Sequence, residues 1–159
     1  MAFRSDGTVR AFRIADRRHQ ILDGAGSYLH GARWTSKGRR VIYAGETYAG
    51  ALLEILVHLN VREVPLPHVW IEVTVPSMEL IEQVEAEQIP GWDHADLKAS
   101  REFGDRWYAE RRTPVLFVPA VVTQGIEHNV LLNQEHPLFN TIFAGSPADV
   151  NWDERLFQS

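Results

Sequence analysis

One carboxylate interrupts the apolar run of residues 41–59, "VIYAGETYAGALLEILVHL". Read as a helix, Ala49, Leu52, Leu53, Leu56 and Val57 form one apolar stripe, and Ala51, Ile55 and Leu59 widen it. Glu54 and His58 are the exceptions, four residues apart on one face. Burying a carboxylate is costly unless something binds it. Two readings follow: a partly exposed stripe in which Glu54 and His58 make a weak surface contact, or an acid that lines a cleft and does chemistry there. A helix apolar nearly all round is expected to lie sandwiched inside its domain.

Three upstream residues give the second reading its chemistry: Arg13, Arg33 and Tyr43. An arginine offers a rigid two-pronged donor suited to a diphosphate. A tyrosine supplies a stacking face and one hydroxyl. A carboxylate accepts a hydrogen bond from a sugar hydroxyl and favours positive charge developing on the sugar. Together these groups meet the needs of nicotinamide–ribose cleavage. The nicotinamide ring is already cationic while bonded to the sugar and leaves without acid help, and the ribose passes through an oxocarbenium-like state of the kind met in glycoside hydrolysis. Taken singly, each arginine reads as a solvated surface residue and Tyr43 as a core aromatic.

The elements that must position these groups fit one domain. The chain has 159 residues, 45% hydrophobic and 23% charged, a globular balance. A net charge of −5 gives no footprint for direct nucleic-acid binding. The absence of cysteine excludes disulfides, thiolate catalysis and Cys-ligated zinc. The seven histidines show no metal-ligand spacing, so no metal is expected. Neither a signal-peptide core nor an apolar run of roughly 18 residues is visible, which points to a cytoplasmic protein with no membrane contact.

"RAFRIA" reads as the first strand, followed by a glycine-punctuated loop, "DGAGSYLHGARWTSKGRR". "RVIYAG" reads as a strand, with Thr47 capping a helix that runs to about Asn60. In "PLPHVWIEVTVP", Val69, Ile71, Val73 and Val75 alternate with polar or amphipathic residues, a strand pattern. "ADLKASREFGDRWYAERR" reads as a helix despite Gly104, ended by Pro114. "VLFVPAVVT" reads as a buried strand, "HNVLLNQEHPLFNTIF" as a strand and a turn held by Asn and His side chains, and "WDERLF" as an edge strand. Elements mixed without strict alternation favour an α+β (mixed α/β) fold.

The blocks "RAFRI", "GARWTSKGRRVIYAGETYAGALLEILVHL", "VPAVV", "NVLLNQEHP" and "DERLF" resemble those of the RES-domain toxins, a family named for its Arg, Glu and Ser residues. The resemblance implies an ADP-ribosyltransferase-like fold, a small β core flanked by helices, in a single domain over residues 1–159. It implies the toxin component of a bacterial type II toxin–antitoxin system that cleaves NAD+ at the nicotinamide–ribose bond, with an Xre-type antitoxin covering the active site. The alternatives are mono-ADP-ribosylation of a host-cell protein and a catalytically weak RES-like binding partner. By motif, Glu54, Tyr43 and Arg33 become the catalytic residues, and Arg13, Arg33 and Tyr43 the NAD+-binding ones. Two departures stand out: Ala120 occupies the family's serine position, and Ala32 replaces a glycine.

Overall fold

The computed structural model describes residues 2–59, 65 and 67–158. In chain order its strands are β1 (Ala2–Phe3), β2 (Val9–Asp16), β3 (Val41–Gly45), β4 (His68–Val75), β5 (Ile81–Gln83), β6 (Val115–Pro119), β7 (His128–Asn133), β8 (Phe143–Ala144) and β9 (Ala148–Asp149). The helices are α1 (Ala25–His30), α2 (Tyr48–His58) and α3 (Lys98–Glu110). The strands form one sheet in the order β5-β6-β7-β3-β2-β4-β8, with β1 on β2 and β9 on β4. Only the β5–β6 pair is parallel among the described residues. This is the α+β fold that the mixed element pattern predicts.

Strand composition explains the layering. The central strands β3, β6 and β7 read as near-continuous apolar runs and are covered on both sides. One face of the sheet carries Val9, Ile42, Val73, Phe117 and Leu132. The opposite face packs Val41, Leu116 and Leu131 against α3 through Trp107 and against the loop residues Trp34 and Trp92. A third cluster seats α2 on the far end of the sheet, with Ala51, Leu52 and Ile55 against Phe12, Ile14 and Trp70.

The sheet is not uniform. β2 pairs with β4 continuously, from Val9↔Val75 to Asp16↔His68. It meets β3 at Phe12↔Gly45 alone among the described residues. Past that point the two strands part, and the opening between them is where the candidate site forms.

Several sequence expectations change. The loop after β2 contains α1, started by Asp23 accepting from Ala25 N (3.0 Å) and ended where Gly31 turns at φ 70°. The strand predicted over "VLFVPAVVT" stops at Pro119. There the Ala120 carbonyl accepts from Gly125 N (2.9 Å) and Thr123 N (3.3 Å), bending the chain through a 3-10 turn over Val121–Thr123. The tail is a 3-10 helix, Glu154–Phe157, and not an edge strand, because Asp153 caps it by accepting from Arg155 N. Helix α2 is not sandwiched. It covers the sheet with one side, while Leu53 and Val57 stay 38% and 54% exposed because no further layer of described residues lies above them. Its end is capped at Leu59; the predicted Asn60 terminus lies outside the described residues.

Gly104 in α3 is explained by close approach. A Cβ there would lie 1.8 Å from the Trp34 carbonyl oxygen. In an open helix Gly→Ala gains up to about 1 kcal/mol of propensity. Here the overlap reverses the sign, and Gly104→Ala is expected to lower stability by roughly 1–3 kcal/mol net of that gain, read as a lower Tm with unchanged far-UV dichroism of the native state.

Candidate functional site

Where β2 and β3 separate, a cavity of about 810 Å³ opens, walled by both strands, α2, the loop 31–34 and the start of α3. Arg13, Arg33, Tyr43 and Glu54, the residues singled out from sequence, all line it. His58 lines it as well, one turn beyond Glu54 on the same helix face.

Glu54 is aimed by the way α2 starts. Thr47 Oγ1 accepts from Gly50 N at 2.9 Å and donates to Glu127 Oε1 at 2.6 Å, fixing the helix N-terminus. Gly45 lets the helix fold back on β3, since a Cβ there would meet Ala51 N at 2.9 Å. Asn129, on β7, then donates through Nδ2 to Glu54 Oε1 at 2.8 Å, which fixes the plane of the carboxylate.

Arg33 is aimed by α3. Its loop is held by its backbone: Ser100 Oγ donates to Arg33 O (2.7 Å) and Arg101 Nε to Ala32 O (2.8 Å). Asp105 accepts from both Ser36 N (2.8 Å) and Ser36 Oγ (2.6 Å). Ser100, Arg101, Gly104 and Asp105 share one face of the helix, so a single surface grips the whole loop. The Arg33 side chain is steadied in turn, Nη1 donating to His94 O at 3.1 Å.

Tyr43 points from β3 towards the loop, its hydroxyl 2.8 Å from Thr35 Oγ1. Burial pushes this phenol well above its usual range, only partly offset by the Thr35 hydrogen bond. Arg13 occupies the parting of the strands. Its Nη1 donates to Tyr43 O at 2.8 Å and its Nε to Ile21 O at 3.1 Å. The guanidinium thus satisfies a β3 carbonyl next to the interrupted ladder. Burial lowers the Arg13 pKa, with Asp23 opposing, but a guanidinium stays charged throughout the working range.

Sequence reasoning missed Asn129, Thr35 and Arg101, which also lines the cavity. Asn129 and Arg101 are brought in by elements distant in sequence, whereas Thr35 lies two residues from Arg33 in the same loop and no spacing marked it. Asn133 and His136 fall elsewhere: Asn133 accepts from Glu135 N, and His136 bonds Leu138 N and Arg111 O, a structural turn. Ala120 is buried beside the cavity but is not one of its walls; Val121 and Val122 are. Leu97, a wall residue, holds a left-handed φ of 60°, unfavourable for a branched side chain. The indole Nε1 of Trp34, another wall residue, has no hydrogen-bond partner among the described residues. Three guanidinium groups and one carboxylate thus face a cavity in a chain of net charge −5. Such a pocket selects an anionic ligand.

The RES domain model matches residues 10–153, and the chain belongs to the RES domain family. Within that family it stands among the toxins. It is 37% identical over 142 residues to the Prs ADP-ribosylating toxin of Sphingobium sp. (strain YBL2), covering 86% of this chain and 87% of that protein. It is 32% identical over 118 residues to the toxin Res of Pseudomonas putida (strain KT2440), covering 73% and 79%. The toxin–antitoxin complex MbcT–MbcA of M. tuberculosis contains a chain of the same fold, with a TM-score of 0.74 at 12% identity over 90% of this chain and 84% of that one. No helix among the described residues is long and apolar enough to cross a membrane.

The raised Tyr43 pKa has a sign that can be checked. The unfolded phenol ionises near pH 10 while the folded one resists, so its contribution is intact below about pH 10 and is lost as the pH climbs further. Unfolding free energies measured by urea between about pH 9 and 11.5 are expected to fall by at most about 1.4 kcal/mol per pH unit from this group. Tyr43→Phe should flatten that slope, leaving the smaller parts due to Tyr48 and Tyr108, which burial also raises.

Proposed function

We propose that this protein is a toxin that cleaves NAD+ at the nicotinamide–ribose bond. Support comes from one observation above all: a single carboxylate, held by Asn129, faces a cavity whose other fixed charges are guanidinium groups. In this reading Arg13 and Arg33 hold the dinucleotide and Tyr43 orients its nicotinamide–ribose end. Glu54 accepts a hydrogen bond from a ribose hydroxyl. The C1′–N bond breaks with its electron pair going to the ring nitrogen, and neutral nicotinamide leaves. Glu54 stabilises the oxocarbenium that remains. Water then adds to C1′ and releases a proton, giving ADP-ribose. No metal takes part in this scheme.

Glu54→Gln is the direct test. The amide oxygen can still accept from Asn129, so the fold should survive while the negative charge is gone. NAD+ consumption by the purified variant should drop by about 10²-fold or more, with unchanged Tm. A variant that consumes NAD+ at the parent rate sinks the assignment.

A second reading keeps the same bond cleavage but passes ADP-ribose to a protein side chain. The Sphingobium relative named for ADP-ribosylating Prs favours it. Incubation with labelled NAD+ and cell extract separates the two: a labelled protein band supports transfer, free ADP-ribose supports hydrolysis, and intact NAD+ supports a purely binding role.

The same reading includes an antitoxin, of Xre type, that covers the cavity mouth. The structural neighbour occurs in a toxin–antitoxin complex. Leu53, Val57 and Val121, all exposed, form an apolar surface beside the cavity that water alone would leave unsatisfied. Leu53 is not a cavity wall. Leu53→Glu is therefore expected to leave NAD+ loss unchanged and to weaken antitoxin neutralisation by roughly tenfold or more, measured as growth rescue on co-expression.

A further inference from the structure

The three cavity guanidinium groups differ in how far the protein itself uses their donors. Arg13 binds two carbonyls through Nε and Nη1 and closes the gap between β2 and β3. Arg33 directs Nη1 at the carbonyls of His94 (3.1 Å) and Trp92 (3.4 Å), which leaves Nε and Nη2 but breaks up the terminal pair. Arg101 uses Nε alone, on Ala32 O at 2.8 Å. That bond fixes the plane of the group and leaves both terminal nitrogens, Nη1 and Nη2, without a hydrogen-bond or carboxylate partner among the described residues.

The nearest acid on its own helix face does not claim it. Asp105 is already engaged by Ser36 and by Arg39, whose Nε lies 3.3 Å from its Oδ1. Arg101 Nη2 lies 3.2 Å from where a Gly31 Cβ would stand, against the loop that carries Arg33. The Arg101 charge is also close enough to act on the Tyr43 phenol. A half-buried cation with no carboxylate partner among the described residues is left better matched when an anion arrives to meet it. Two adjacent terminal nitrogens match two oxygens of a phosphate.

We propose that Arg101 is a phosphate-binding residue of this cavity, its Nη1 and Nη2 meeting the diphosphate of the dinucleotide alongside Arg13 and Arg33. The proposal rests on the NAD+ reading for its substrate and extends it to a residue from α3 that no sequence motif marks. Arg13 and Arg33 keep their part in holding the dinucleotide, and Arg101 adds a third cation whose two terminal nitrogens stand together. The second role of Arg101, anchoring Ala32, depends on Nε and is structurally separate from the terminal pair.

The test compares Arg101→Lys and Arg101→Met with the parent protein, with Tm measured for each. Titration with ADP-ribose and with inorganic pyrophosphate should show a Kd raised roughly ten- to a hundredfold in Arg101→Met and less in Arg101→Lys. The KM for NAD+ should rise in parallel, with kcat held within about threefold. Nicotinamide riboside, which lacks phosphate, should be bound equally by all three proteins.

Equal weakening of the phosphate-free and phosphate-bearing ligands would overturn the proposal and leave Arg101 a loop anchor. So would a parent protein that binds neither ADP-ribose nor pyrophosphate. Pyrophosphate binding that depends on Arg101 in a protein that leaves NAD+ intact would uphold the anion site and reject the NAD+ reading instead.

Discussion

The arrangement depends on one helix face gripping one loop. α3 holds residues 32–36 through Ser100, Arg101 and Asp105, and the absence of a Cβ at Gly104 lets the Trp34 carbonyl press against the helix. These bonds go largely to backbone atoms, so they fix the path of the loop irrespective of its side chains. Arg33 and Trp34 are thereby presented to the cavity together, with Thr35 buried behind them against Tyr43. Charge-assisted and buried hydrogen bonds of this kind are costly to leave unmade, which gives the loop a rigidity that its glycines alone would deny it.

The second constraint is the parting of the sheet. Continuous pairing of β2 with β3 would close the site, since the cavity occupies the space beside the interrupted ladder. Arg13 meets the resulting need for donors at Tyr43 O and Ile21 O. A residue that sequence reasoning assigned to ligand binding is thus also part of the scaffold. Its charge remains close to the cavity, where together with Arg33 and Arg101 it makes a cationic pocket in an acidic protein. Low local dielectric makes that field stronger than it would be in water.

Much of the fold was legible from pattern. The alternation over β4, the apolar runs of β6 and β7, and the Thr47 cap of α2 follow from period and capping chemistry. The failures have local causes. Helix α1 is too short to show a period, and its start relies on an aspartate turn. The strand after α3 ends early because a carbonyl hub at Ala120 bends it. The tail curls because Asp153 caps it. Helix α2 looked fully buried because apolar residues cover most of its circumference; periodicity reports which faces are apolar, not whether the molecule provides a layer to cover each of them. Leu53 and Val57 are the result.

The amino-acid sequence by itself determined that an acid would interrupt an apolar helix, that arginines and a tyrosine would precede it, and that these blocks belong together as a RES-type pattern. Those facts are local: they need only spacing, residue chemistry and the comparison of short motifs. Tertiary structure alone decided that Glu54 would meet Asn129 from β7 and that α3 would bring Arg101 to the same cavity. The reason is distance along the chain. Glu54 and Asn129 are 75 positions apart and Ala32 and Arg101 are 69 apart, separations at which no periodicity carries information and only the packing of the sheet and its helices sets which side chains meet.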